Sequence, residues 1–279
     1  MKVILWLISI VCVLSIGFVA FLPMIVTKLG LHPSYDADIP NLDGKKALII
    51  ATNHSTLDMP NGENGKPTGL FLSELSVPFY DFKKANIKVD IASIEGGMIP
   101  IEPIPWFVKT TEDKKFLKDV NTMNLLKNSL SIKNISFSEY DIVLISGGWG
   151  ASYDLGYSEL LGTKITEAYY GKTIIGAICH GVLGLINAKN NEGELIIKGR
   201  RITGVTDKQI KELGITITPM HPETELKKAG ANFVSNTSFQ DAFANLTVID
   251  DEQKFVTGQN QNAGHEVAFK IMEIVSSTQ

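Results

Sequence analysis

The feature that most constrains this chain is a repeated alternation of short apolar runs with segments of helical length. The runs are Lys46–Thr52 (KALIIAT), Ile87–Ser93 (IKVDIAS), Tyr140–Ser146 (YDIVLIS) and Lys172–Ile178 (KTIIGAI). Such near-continuous apolar strands belong in a sheet covered on both faces. Between them, Thr68–Ala85 places Leu70, Phe71, Leu75, Phe79 and Phe82 at helical spacing, and Glu112–Lys127 and Tyr157–Tyr170 also read as helices. Gly181–Ala188 is expected to continue as helix straight after the fourth run. Strands alternating with helices imply right-handed crossovers and a mainly parallel sheet. The predicted fold class is therefore α/β, a three-layer sandwich. Further on, Glu194–Ile197 and Arg201–Gly204 look like a strand pair, Glu223–Ala229 a helix, Phe255–Thr257 a strand and Ala263–Ser276 a closing amphipathic helix.

With 44 % apolar residues in 279, the chain can bury a large core. The net charge of -4 and the lack of a Lys/Arg run argue against a nucleic-acid partner. Two cysteines, Cys12 and Cys179, are poor disulfide partners, and no cysteine-rich metal site is suggested. His54, His221 and His265 show no paired spacing with acids and read as ordinary loop or surface residues. No metal and no cofactor are expected.

Residues Val3 to Val26 carry no charge across 24 positions. At about 1.5 Å per residue that length spans roughly 36 Å, enough for a bilayer core of about 30 Å. The expectation is a transmembrane anchor or uncleaved signal over residues 1–26; a cleaved signal is the alternative. Residues 27–44, with Pro33, Pro40 and Gly44, read as a tether, and 45–279 as the domain. The protein is expected at a membrane through residues 3–26, single-pass, with the domain on the extracytoplasmic side.

In open α/β sheets, ligands sit beyond the carboxyl ends of the strands. Three segments fall there: the loop with Asn53 and His54, the loop Gly147–Gly150 containing Trp149, and Cys179-His180. The run Gly176-Ala-Ile-Cys-His-Gly181 has the small neighbours a strand-to-helix nucleophile elbow needs. A thiol there would sit at a helix N-terminus, where the dipole favours thiolate, with His180 beside it as proton carrier. The competing reading is an inert buried cysteine.

These stretches together resemble the ThiJ/PfpI superfamily, with its class I glutamine amidotransferase-like, flavodoxin-like domain, in the branch of glyoxalase III and heat-shock chaperones. The matching segments are Thr68–Glu74, Val89–Ser93 with Gly96-Gly97, Tyr140–Gly148, Ala177–Gly181, Lys198–Gly204, Glu223–Ala231 and Val256–Asn260, in order. The resemblance implies that Glu74 approaches the cysteine sulfur as a protonated hydrogen-bond donor. It also implies that Gly148 and the His180 amide form an oxyanion hole. A small carbonyl or amide substrate and a homodimer follow from the same resemblance.

Two departures stand out. Where the family often has Gly-Gly-His-Gly, this chain has Gly147-Gly-Trp-Gly150, so Trp149 is expected to wall a pocket. The acid that would orient the histidine falls near Gln209 and Ile210; Asp207 and Glu212 are the nearest substitutes. The residues thus support a cysteine-dependent glyoxalase III-like lyase or hydrolase acting on 2-oxoaldehydes. The alternative is a non-catalytic oxidative-stress sensor or holdase working through Cys179 oxidation.

Overall fold

The computed structural model describes residue 6, residues 17–59, residue 63 and residues 65–278. In chain order, α1 (17–28) precedes β1 (Lys46–Ala51), α2 (Ser73–Lys84), β2 (Lys88–Ser93), α3 (Thr111–Lys118), α4 (Val120–Lys127) and β3 (Leu130–Ser131). Next come β4 (Ile142–Ile145), α5 (Ala151–Asp154), α6 (Glu159–Tyr170), β5 (Ile174–Ile178) and a 3-10 turn, Cys179–Leu185. The chain finishes with β6 (Arg201–Ile202), α7 (Asp207–Glu212), α8 (Pro222–Lys228), β7 (Asn232–Phe233), β8 (Thr247–Ile249), β9 (Phe255–Gly258) and α9 (Gly264–Ser277).

Among the described residues the main sheet runs β3-β2-β1-β4-β5-β9-β8, parallel throughout except for β8 against β9. Strand alternation divides the core into two layers. Ala47, Ile49, Ile142 and Leu144 face α2 and α9, packing with Leu75, Phe82, Ile271 and Met272. Leu48, Ile50, Val143 and Ile145 face the other way, against Leu161 and Ile165 of α6 and Leu226 of α8. Successive side chains point to opposite faces, so a strand buried on both must be apolar at every position. Each fully buried aliphatic or aromatic side chain contributes roughly 1.5–3 kcal/mol. The three-layer α/β sandwich expected from the runs is the one observed.

Several local expectations need correction. The predicted helix Glu112–Lys127 is two helices, because Asp119 adopts an extended conformation and its side chain accepts the Asn121 N–H as cap of α4. An Asp side chain that competes for backbone N–H groups favours a cap over a helix interior. The strand pair expected from Glu194–Ile197 and Arg201–Gly204 does not form. Instead β6 pairs in parallel with β7, well further along the chain, while Leu195 makes only an isolated bridge to Lys189.

The transmembrane expectation is overturned. No helix among the described residues is long and apolar enough to cross a membrane. Residues 3–5 and 7–16 of the expected span lie outside the described residues. The single-pass membrane location, the membrane partner and the extracytoplasmic side assigned with it are therefore unsupported. The chain after α1 lies against the domain: Leu31 and Leu42 are buried, and the His32 N–H donates to Asn262 Oδ1 at 2.9 Å.

Candidate active site

Strand β5 is buried along its whole length and delivers Cys179 at its carboxyl end. Ile178 is still extended, whereas Cys179 has φ +56°. A non-glycine residue in this left-handed region is uncommon and marks a position the surroundings over-determine. The backbone thus reverses within one residue, and the expected elbow is present. The elbow leads into the 3-10 turn Cys179–Leu185, not the α-helix expected over Gly181–Ala188. A helix dipole of the expected kind is therefore not available to acidify the thiol. Cys179 is 6 % exposed.

The elbow packs against two glycines at the end of β4. The Gly147 N–H donates to Glu74 Oε2 at 2.8 Å, and a Cβ at Gly147 would lie 2.7 Å from the His180 nitrogen. Gly148 has φ +100°, and a Cβ there would lie 2.3 Å from both the Gly69 carbonyl oxygen and the Phe71 nitrogen. Only glycine fits either position without displacing backbone. Glu74, in the first turn of α2, is fully buried and also accepts the Ser146 hydroxyl through its carbonyl oxygen.

Burial decides the protonation states. It pushes the Glu74 carboxyl up to about 8, against the opposing hydrogen bonds from Gly147 N–H and the Cys179 thiol. Burial, followed by the Glu74 charge, pushes the Cys179 thiol well above its ordinary value. The carboxyl and the thiol are a coupled pair competing to stay neutral. At neutral pH Glu74 holds its proton, which removes its own repulsion of a developing thiolate. Oε1 of Glu74 has no hydrogen-bond partner, which leaves it free to carry that proton.

His180 is 1 % exposed, with Nδ1 3.4 Å from Cys179 Sγ. Burial, and then the neighbouring His221, hold its imidazole down to about 3. The ring is thus a neutral acceptor throughout the physiological range. The Trp149 ring lies against it, centroids 4.7 Å apart and planes tilted by 56°. The backbone N–H of Trp149 donates to Glu102 Oε2 at 3.2 Å. Glu102 is itself pushed up to about 7 by burial, and its charge raises both Glu74 and Cys179.

A cavity of about 40 Å³ opens on the sulfur; Trp149, Gly148, Phe71, Gln209 and Gln261 are among its walls. One water needs about 10–15 Å³, so the space suits a molecule of a few heavy atoms. Of the three residues expected at a pocket, Trp149 is among these walls. Asn53 and His54 are not. Asn53 staples two loops, donating to the Gly96 and Met98 carbonyls at 3.1 Å and accepting from Glu95 N–H. His54 stacks on Tyr153 at 4.3 Å and reaches Thr56 O and Asp58.

Neither acid expected near His180 touches it. Glu212 Oε2 accepts the Asp241 N–H, and Asp207 Oδ2 accepts the Thr224 hydroxyl. Glu102 and His221 are not marked by the sequence pattern. Glu102 lies in a proline-rich loop with no periodicity to place it, and the acid nearest the His221 ring is not its sequence neighbour Glu223 or Glu225 but Asp207, brought near by the packing of α8 on α7. No group of three or more His, Cys, Asp or Glu among the described residues is disposed to hold a metal.

Comparison with known proteins places the whole domain. The model of the DJ-1/PfpI family matches residues 68–274. Glyoxalase 3 of Candida albicans is 31 % identical over 80 % of this chain and 95 % of its own length. A glutathione-independent glyoxalase of Schizosaccharomyces pombe is 28 % identical over 81 % of this chain and 95 % of its own. The Rapid Encystment Protein of 24 kDa from Francisella tularensis superposes with a TM-score of 0.74 at 35 % identity, covering 83 % of this chain and 99 % of that one.

Proposed function

The chain belongs to the DJ-1/PfpI family, and from that premise we propose that it is a glutathione-independent glyoxalase that converts small 2-oxoaldehydes into 2-hydroxy acids. The observation that carries the reading is the buried trio around one sulfur: Glu74 neutral on one side, neutral His180 at 3.4 Å on the other, in a cavity sized for a few heavy atoms. The relatives named for this activity match nearly end to end. A glyoxalase that does without glutathione needs a thiol of its own, and Cys179 is the thiol at the cavity.

The reaction follows from these positions. Cys179 Sγ adds to the aldehyde carbon C1 while its proton passes to His180 Nδ1. The oxyanion forms beside the Gly148 and His180 amides and takes that proton, giving a hemithioacetal. His180, neutral again, removes the proton from C1 and returns it to C2, while the proton of the C1 hydroxyl passes to the C2 oxygen. C1 is thereby oxidised by two electrons and C2 reduced by two, with no outside redox partner. The product is a thioester of the 2-hydroxy acid, and water cleaves it to release the acid and the thiol. Net, one water is added. Glu74 stays protonated and donates to the sulfur as it gains negative charge.

The sensor reading is weaker on physical grounds. Oxidation of cysteine follows thiolate fraction and exposure. Here the thiol is buried and pushed well above its ordinary value. The small cavity likewise favours a carbonyl of a few atoms over a peptide. The test is formation of lactate from methylglyoxal by the wild type, Cys179→Ala and Glu74→Gln. Turnover that survives Cys179→Ala would remove the proposed nucleophile. Peroxide treatment followed by intact mass checks the other reading, which requires a gain of two oxygens confined to Cys179.

A further inference from the structure

His180 is left with an unexplained atom. For Nδ1 to accept the thiol proton, the neutral ring must carry its own proton on Nε2. That Nε2 is shut off from solvent and has no hydrogen-bond partner. A buried donor left unpaired costs about 1–3 kcal/mol. Helix α8 packs directly on the 3-10 turn that carries His180. A Cβ at Gly204 would lie 3.2 Å from the Cys179 carbonyl oxygen and 3.5 Å from Pro222 Cβ, so the start of α8 is seated at the elbow. His221 is the residue before Pro222, at the N-cap of α8, and it is near enough to His180 to disfavour its protonation.

Behind His221 stands a second orphan. Asp207 Oδ1 lies 3.9 Å from His221 Nδ1, and it too is shielded from solvent and without a hydrogen bond. The rest of Asp207 is pinned to α8: Oδ2 accepts the Thr224 hydroxyl at 2.7 Å, and the backbone N–H donates to Glu223 Oε2 at 2.8 Å. Gln209, near the position where the orienting acid was expected, is occupied elsewhere, accepting from Asn260 Nδ2 at 3.1 Å.

We infer that His221 and Asp207 orient His180 through a turn of the His221 ring: neither hydrogen bond is formed in this structure, and the turn lets His221 Nε2 accept the Nε2–H of His180 while its Nδ1–H faces Asp207 Oδ1. That turn gives both orphaned atoms a partner on the intervening ring. The Asp207 charge then supports His180 while it holds the thiol proton. Both are positioning residues, since neither touches the substrate. A catalytic base otherwise left without a carboxylate thus gains one across a second imidazole.

The relay rests on the reading of Cys179 as nucleophile, so its test has two arms. The first measures kcat and KM for methylglyoxal in His221→Ala, Asp207→Asn and the double variant. Each single change is expected to lower kcat about tenfold or more at a KM within about twofold. The double variant should lose no more than His221→Ala, as residues acting through one path do. Added imidazole should restore part of the His221→Ala activity, an effect that a structural role would not show. The second arm follows alkylation of Cys179 by iodoacetamide, read on its peptide by mass, and needs no turnover; the same variants should slow it. His221 is 28 % exposed in its side chain, so His221→Ala removes little packing. Wild-type kcat and wild-type alkylation in both single variants would overturn the relay, as would independent losses that multiply. Full turnover in Cys179→Ala would instead sink the proposed function, and the alkylation arm would still decide the relay.

Discussion

The imidazole of His180 stands with Nδ1 3.4 Å from the sulfur of Cys179, and the two residues adjoin in sequence. Neighbouring residues can face each other in this way because Cys179 takes a left-handed φ of +56° and the chain tightens at once into a 3-10 turn. Base and nucleophile are therefore set by one local backbone feature, and Glu74 is brought to the other side by a separate element, α2.

The protonation states set a distinctive pH profile for activity. His180 is held down to about 3 and Glu74 is pushed up to about 8. The base is free above about 3 and the donor is present below about 8. Activity, as kcat/KM, should show no acid limb near 6.5 and should fall on the alkaline side near 8. Glu74→Gln keeps a donor that does not titrate, so its residual activity should lose the alkaline limb. An acid limb centred near 6.5 would show that His180 is not shielded as described.

Stability should carry the same signature. The Glu74 pKa is raised on folding, so the native state binds more protons and stability falls as pH rises from about 4.5 to about 8. The His180 pKa is lowered, so its contribution is complete above about 6.5 and is lost as pH falls towards 3. Between about 6.5 and 8 Glu74 dominates, with Glu102 adding in the same direction up to about 7. Urea midpoints should therefore decline over this window, and Glu74→Gln should flatten the decline. A tenfold difference in proton affinity between folded and unfolded chain corresponds to about 1.4 kcal/mol.

Gly148→Ala tests the fit of the β4 turn to the elbow. The added methyl would lie 2.3 Å from backbone of Gly69 and Phe71, at a φ that side chains rarely adopt. The expected loss is about 2 kcal/mol or more, seen as a lower urea midpoint at unchanged slope. A midpoint equal to wild type would mean that the close approach is absent.

Trp149→Ala removes the wall that keeps water from His180. Trp149 is 7 % exposed, and truncating a buried aromatic costs about 3–5 kcal/mol. With water admitted, the His180 pKa should climb from about 3 towards its ordinary value. An NMR titration of the His180 ring would show this rise, and an acid limb should appear in the activity profile.

The sequence made the scaffold legible where physics is local. Leu48 to Ala51 and Ile142 to Ile145 are apolar at every position because both faces are covered, and that pattern is visible without the fold. Cys179 was legible for a similar reason: small residues flank it at the end of such a strand. Long-range relations were not. The pairing of Arg201–Ile202 with Asn232–Phe233 leaves no trace in either segment. The approach of His221 to Asp207 depends on how α8 packs against α7. Asn53 and His54 show a related limit: they sit beyond β1 as expected, yet their side chains are spent on holding loops.

The most direct test of the central claim is the lactate formed from methylglyoxal by the wild-type chain and by Cys179→Ala, assayed without glutathione. The proposed function requires steady glutathione-independent turnover by the wild type and a loss of about a thousandfold or more in Cys179→Ala. No turnover by the wild type, or equal turnover by the two, would contradict it.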